Sequence, residues 1–381
     1  VPADDSEVRA ALRAVEDPEL GLSIVDLGEV AGVDRADDRA IVHLALPLPE
    51  DGWPPDELIR RVEAAVAAVP GVAGVEVDRR PMTEPEAAAA ARVLKGESAP
   101  NPLAVVDASA RPAPVPRRNP FTDASTRILA VASGKGGVGK SSVSTNLAVA
   151  LTQRGRRVAA VDADVWGFSL PRMFGVDHPP GVVDDVIVPP RAHGVQLVSM
   201  GFFARDDQAV IWRGPMLHKA LEQFLTDVHW GEPDVLVVDL PPGTGDVSLS
   251  VAQLLPGAEV IVVTTPQPAA QRVAQRSAVM AERVNLTVIG VVENMSWFVG
   301  DDGKRYEIFG AGGGQELADS LEVPLLGQIP LVSALRVGGD VGQPITVSDP
   351  DSPAAAAFVA LAEQVDTMAP RRVRHPELRI S

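Results

Sequence analysis

The chain has 381 residues, 46% of them hydrophobic and 22% charged, and its 51 acidic side chains outweigh 34 basic ones to give a formal net charge of −17. Such acidity argues against gripping nucleic acid, which depends on clustered Lys and Arg. The complete absence of cysteine excludes disulfides and any thiolate metal ligand supplied by this chain.

The opening VPADDSEVRA is acidic and has no apolar core, so it does not read as a secretory signal. No run of about 18 uncharged apolar residues suits a membrane span. The expectation is a cytoplasmic protein of two or three domains. Residues 6–16 (SEVRAALRAVE) space Val8, Leu12 and Val15 as on one helix face, with Ser6 as the N-cap. Residues 40–46 (AIVHLAL) alternate like a half-buried strand. A second amphipathic helix spans 56–69 and stops before Pro70 and Gly71, and a short strand follows from Val72 to Val77. Residues 1–82 therefore read as a small α+β domain.

Residues 83–122 read as a connector. Thr83 and Glu86 have the spacing of a capping box with Pro85 in the first turn, so a short helix opens it. Prolines at 100, 102, 112, 114, 116 and 120 then make a semi-extended tether. From 123 to 370 strands alternate with helices. The strands are 128–133, 157–162, 195–199, 235–239, 259–264, 287–292 and 325–329, mostly continuous apolar runs such as VLVVD. Strands buried on both faces look like this, in a parallel sheet covered by helices. Helices fit at 140–153, 215–229, 268–284 and 353–367. The last residues, 371–381 (RRVRHPELRIS), read as a basic, solvated tail.

Residues 134–141 run Gly-Lys-Gly-Gly-Val-Gly-Lys-Ser between an apolar strand and a helix, the full pattern of a phosphate-binding P-loop. Glycines let several backbone N–H groups converge on one anion, and the following helix adds its positive end. Gly134, Lys135, Gly136, Gly137, Val138, Gly139, Lys140, Ser141 and Ser142 are thus the candidate nucleotide contacts. Lys140 is expected on the β- and γ-phosphates of ATP and Ser141 on Mg²⁺. Lys135 is not required by the pattern and is free to reach a phosphate from outside the loop's own cradle. Asp162 and Asp164 end the second strand and Asp239 the fourth, where ligands of open α/β sheets bind. Carboxylates there support Mg²⁺ and position a water. In the LPPGTGD run after Asp239, Gly243 is expected to offer its N–H to a γ-phosphate.

The runs SGKGGVGKSS, DADVWG, DLPPGTGD and ENMS resemble those of the Mrp/Nbp35 family, dimeric P-loop ATPases of the deviant Walker A group related to MinD and ParA. WRGPM (212–216), TTPQ (264–267) and IFG (308–310) extend the likeness across 125–345. The front domain is similar to the MIP18-type (DUF59) domain through DPEL (17–20), IVDLG (24–28) and PGV (70–72). The resemblance implies an α/β P-loop NTPase, with a mostly parallel sheet flanked by helices, preceded by a small α+β domain. It further implies ATP hydrolysis, a homodimer, and work with iron–sulfur maturation proteins or apo-protein clients. The basic tail has too few apolar residues for an interfacial helix and the net acidity argues against DNA, so neither membrane nor nucleic acid is expected. By position, Lys135 resembles the lysine that reaches the facing subunit's nucleotide, Asp164 the residue that orients the attacking water, and Asp162 and Asp239 the acidic support of Mg²⁺. Asn294 resembles the residue that reads the adenine edge.

The resemblance also implies an iron–sulfur cluster held by a cysteine pair from each subunit. That pair belongs between Phe298 and Gly303, where the text is FVGDDG, and the front domain has Gly52-Trp53-Pro54 in place of Gly-Cys-Pro. The six histidines, at 43, 178, 193, 218, 229 and 375, show no ligand spacing, and Asp301 and Asp302 are hard donors better suited to Mg²⁺. Two readings remain open. One is an ATPase acting in iron–sulfur cluster assembly or transfer. The other is a nucleotide-dependent dimeric switch or scaffold that binds no cluster.

Overall fold

The computed structural model describes residues 5–36, 38–47, 56–96, 119–122, 125–165, 167–203, 214–243 and 245–370. The prolines at 100–116, Gly52-Trp53-Pro54, Trp212 and the tail 371–381 lie outside the described residues. The chain forms two compact units, one of residues 1–117, 178–190 and 227–231, the other of 118–177, 191–226 and 232–381.

In the first unit come helix α1 (Asp5–Leu12), strands β1 (Val30–Ala36) and β2 (Arg39–Leu46), helix α2 (Asp56–Ala67), strand β3 (Gly74–Pro81) and helix α3 (Glu84–Leu94). β2 is the central strand, antiparallel to β1 and parallel to β3. Leu58, Val62 and Val66 recur every four residues along α2 and are all buried, so one stripe of the helix joins Val42 and Leu44 of β2 in the unit's core. Ser6, expected as an N-cap, lies inside α1, which already includes Asp5.

Residues 84–94, which the sequence places at the opening of the connector, pack in this unit. Thr83 N–H donates to Glu86 Oε2 at 2.8 Å as part of the expected capping box, which forms at this helix. Arg80 also grips Glu86, at 2.6 and 2.8 Å, and these bonds hold the Glu86 carboxyl well below its usual range. Ala90, Ala91 and Leu94 turn inward against Leu20 and Leu27 and against Val183, Val186 and Val188. Those valines belong to a hairpin far along the chain. Lys95 Nζ meets Asp185 Oδ1 at 2.5 Å, and His229 Nδ1 lies 3.0 Å from Leu94 O.

The second unit is built on β4 (Arg127–Ser133), α4 (Lys140–Gln153), β5 (Val158–Asp162) and α5 (Leu170–Phe174). The chain then makes the hairpin just met, β6 (Gly181–Val183) and β7 (Val186–Val188), and returns with β8 (Arg191–Ala192) and β9 (Val195–Ser199). Next come α6 (Gly214–Thr226), β10 (Val235–Asp239), α7 (Asp246–Leu254), β11 (Glu259–Thr264), α8 (Pro268–Arg283) and β12 (Thr287–Asn294). A small hairpin of β13 (Phe298–Val299) and β14 (Arg305–Tyr306) precedes α9 (Gly313–Ser320) and β15 (Leu325–Ile329). Helices α10 (Ser333–Asp340), α11 (Ile345–Ser348) and α12 (Pro353–Thr367) complete it.

The main sheet runs β15-β12-β11-β4-β10-β5-β9-β8, parallel throughout except at β8. Four of its inner strands are buried end to end: every residue of β5, β9, β10 and β11 is enclosed. That is why they read as unbroken apolar runs. The Arg127 guanidinium, at the start of β4, bonds Glu259 Oε2 at 2.6 Å, Met368 O at 3.0 Å and Val365 O, and so pins the end of α12 to the sheet.

Candidate nucleotide site

β4 ends at Ser133, and the chain turns through Gly134–Gly139 directly into α4. Two glycines make the turn possible: Gly137 and Gly139 have φ of +78° and +79°, which side chains rarely adopt. Gly134 is needed for a different reason, because a Cβ there collides with the backbone of Val273 and Ala274 in α8. The loop borders a cavity of about 440 Å³ that is also lined by Ser141, Ser142, Asp164, Gly167 and Pro241.

At its floor Lys140 Nζ donates to Asp239 Oδ2 at 2.6 Å. Ser141 Oγ donates to the same oxygen at 2.6 Å, and Ser144 Oγ to Oδ1. Asp239 and Lys140 are 0% and 6% exposed, so a buried charge pair anchors the first turn of α4 to the end of β10. Asp164 Oδ2 stands 4.0 Å from Lys140 Nζ, and its Oδ1 accepts from Gly167 N–H at 3.0 Å. Lys140, Ser141, Asp164 and Asp239 thus meet in one place.

Asp162 is register partner to Asp239 across β5 and β10. Its own carboxylate is occupied by the chain: Oδ1 accepts from Asp164 N–H, and Oδ2 from Ser169 N–H, Leu170 N–H and Ser199 Oγ, all at 3.0 to 3.1 Å. Asp162 therefore shapes the turn that presents Asp164. Burial first, and the Asp239 carboxylate second, push its pKa up to about 7.

Three predicted residues make contacts of another kind. Asn294 Nδ2 donates to Val138 O at 2.9 Å, bracing the loop from behind. Gly243 N–H donates to Ser133 O at 2.8 Å, and its φ is +93°. Lys135 Nζ rests 3.5 Å from Gln267 Oε1, an oxygen that also accepts from Thr265 Oγ1 at 2.8 Å. Ser144, Ser169 and Ser199 belong to no sequence motif, and Gln267 enters the sequence reading only as the end of TTPQ, with no role attached. Ser144 had a signal, lying one helical turn beyond Lys140 on the same face.

The donors fit Mg²⁺, which prefers a few hard oxygens and keeps its waters. The Ser141 hydroxyl and the Asp239 carboxylate already lie 2.6 Å apart at the cavity floor. Among the described residues no group of three or more His, Asp or Glu side chains makes a separate metal site. At residues 298–306 the hairpin closes on itself: Tyr306 OH donates to Asp302 Oδ2 at 2.8 Å, Lys304 N–H to Asp302 Oδ1 at 3.0 Å, and Arg305 stacks 4.5 Å over Trp297. No described helix is long and apolar enough to cross a membrane.

A family profile described as ParA, NUBPL iron-transfer P-loop NTPase, matches residues 124–366, and one described as iron–sulfur cluster assembly protein matches 5–78. The iron–sulfur cluster carrier protein of Mycobacterium bovis is 44% identical over 370 residues, 95% of this chain and 93% of that one. Its namesake from Synechocystis is 40% identical over 369 residues, 94% and 96% of the two chains. Among solved structures, a nucleotide-binding protein from Archaeoglobus fulgidus in complex with ADP superposes with a TM-score of 0.52 at 34% identity, over 61% of this chain and 91% of that one. The cell division ATPase MinD of Pyrococcus furiosus does so with a TM-score of 0.51 at 28% identity, over 64% and 99%. With a P-loop site of this geometry and relatives matched over nearly its whole length, the chain belongs to the NUBPL iron-transfer, or Mrp/Nbp35, family of P-loop NTPases, and carries an iron–sulfur cluster assembly domain in front.

Proposed function

We propose that this chain is a Mg²⁺-dependent ATPase, working as a homodimer in the assembly or transfer of iron–sulfur clusters. The observation that carries the reading is the buried set of Lys140, Ser141 and Asp239 at the floor of a glycine-lined cavity, with Asp164 4.0 Å from the lysine. Lys140 sits on a carboxylate oxygen that a phosphate oxygen can replace. On ATP binding it exchanges Asp239 for the β- and γ-phosphates, and the N–H groups of Gly136 to Ser142 take the remaining phosphate oxygens. When bound, Mg²⁺ would supply positive charge to the phosphoryl oxygens, and Ser141 and Asp239 are the residues that would hold it, while Asp162 keeps the neighbouring turn in shape. Asp164 accepts a hydrogen bond from the attacking water and aims it at the γ-phosphorus.

Gly243 N–H leaves Ser133 O to meet the γ-phosphate. Asn294, by fixing Val138 O, sets the wall against which the adenine edge is read. Lys135 swings off Gln267 to reach the nucleotide of the facing subunit. The test is direct. Lys140→Ala abolishes hydrolysis, and Asp164→Ala keeps ATP affinity while lowering kcat by about a hundredfold or more, read by phosphate release and nucleotide binding. Parent-like turnover in Asp164→Ala removes that residue from the mechanism.

The absence of cysteine favours a second reading in which the chain is a nucleotide switch for a partner and holds no cluster itself. Apo-protein clients or maturation proteins then supply the thiolates, and the cluster remains cargo of the assembly. Anaerobic reconstitution with iron and sulfide decides. The switch reading expects no bound iron and no visible absorbance from the chain alone, and a stoichiometric cluster overturns it. Either way the reading is of a cytoplasmic protein that needs neither membrane nor nucleic acid.

A further inference from the structure

We propose that the outer face of α8 is a docking surface for an acidic, amphipathic segment of a partner protein, and that a partner seated there bears on the phosphate loop. The helix has two faces of opposite character. Inward, Ala270, Ala274, Ser277, Ala278 and Ala281 are buried, and such small residues let the helix lie close on the sheet. Outward, Arg272, Arg276 and Arg283 flank Val279 and Met280 around a groove of about 530 Å³. Steps of four and seven residues put the three guanidiniums in one stripe.

Among the described residues none of the three makes a hydrogen bond or ion pair. Elsewhere Arg60, Arg80, Arg157 and Arg336 each hold a carboxylate. A molecule with net charge −17 thus keeps three free cations together, beside an aliphatic side chain, Val279, that is 38% exposed. Guanidinium forks select carboxylates and phosphates. The apolar floor decides between them: a phosphodiester backbone has no use for Val279 and Met280, and a long polyanion is repelled by the field of the whole molecule. A short segment that alternates carboxylates with an apolar side chain satisfies both parts of the groove.

The inner side of the same helix backs the nucleotide site. Gly134 lies so close to Val273 and Ala274 that no Cβ fits between them. Ser277 Oγ is 3.5 Å from both Ser133 O and Gly243 O, and Gln267, just before the helix, holds Lys135. A displacement of α8 is therefore transmitted to the loop by direct contact. The docking surface stands on α8 alone; only its effect on turnover rests on the ATPase reading.

The experiment uses the full chain and three fluorescent probes: a peptide alternating Glu and Leu, the same peptide with Lys for Glu, and a short DNA duplex. Binding is read by anisotropy and turnover by phosphate release. The parent binds the Glu/Leu peptide, which alters its ATPase rate at saturation. Arg276→Glu weakens that binding about tenfold or more, and the triple variant R272E/R276E/R283E instead binds the Lys/Leu peptide, a gain that misfolding cannot produce. Arg13→Glu, with the same charge change in the first unit, binds as the parent does. Equal binding of the Glu/Leu peptide by parent and triple variant overturns the surface, as does tighter binding of DNA than of peptide by the parent. Peptide binding that leaves turnover unchanged overturns the link to the phosphate loop. A parent without ATPase activity contradicts the proposed function, while the binding comparison still decides the surface.

Discussion

At the residue scale, charge is buried in two ways with different consequences. Lys140 and Asp239 are enclosed as a pair with both serine hydroxyls in attendance, so each charge is compensated and the arrangement is ready to exchange one anion for another. Glu29 is different. It is 0% exposed in the first unit, and burial first, then the neighbouring Asp17 carboxylate, hold its pKa well above 4.5. A raised carboxyl stays protonated in the fold while the unfolded chain ionises. Its contribution is thus neutral below about pH 4.5 and turns unfavourable as pH rises above it. Glu29→Gln is expected to match the parent in stability at pH 4 and to exceed it by roughly 1–2 kcal/mol at pH 7. Hydrogen exchange at the β2 amides Val42 and Leu44 of the full chain reads this, and a parent that is equal or superior at pH 7 contradicts it.

At the scale of elements, legibility followed burial. The runs VLVVD and EVIVVT are enclosed along their whole length, and their composition alone announces parallel strands. β1 went unread because VAGVDRA carries a glycine and two charges; it is an edge strand whose pairing with β2 shifts register between Val30 and Gly32. α10 was hidden by Gly338 and Gly339, and Gly338 is there because a Cβ would collide with Gln343 O. In the site, the loop residues follow from one motif. The Gln267 rest for Lys135 does not, because it needs α8 to arrive beside the loop, and local sequence carries no trace of that approach.

The Arg127 clamp is likewise tertiary, and it supplies an elementary test. Arg127→Met leaves Glu259, 2% exposed, buried without its guanidinium and is expected to cost about 3–5 kcal/mol. The double change Arg127→Met with Glu259→Leu recovers most of that loss. Urea unfolding of the second unit, followed through nucleotide binding, measures both. Additive losses in the double variant count against the clamp.

At the scale of the whole molecule, the parked Lys135 predicts association. Its 3.5 Å contact to Gln267 is long and easily given up, so binding of ATP is expected to release the lysine toward a second copy. Sedimentation of the parent in ATP and Mg²⁺ is expected to show a dimer, and Lys135→Ala to shift the distribution to monomer. A parent that remains monomeric in ATP removes the dimer and, with it, the role of Lys135.

The first unit is stitched together from three stretches of sequence, with Val183, Val186 and Val188 of the β6–β7 hairpin seated on α3. A protease or an engineer that severs the chain in the proline-rich stretch therefore does not release two finished bodies. The P-loop half leaves with a strip of bare valines that had been the first unit's lining, and sticky, poorly behaved fragments are the outcome to expect from trimming at that point.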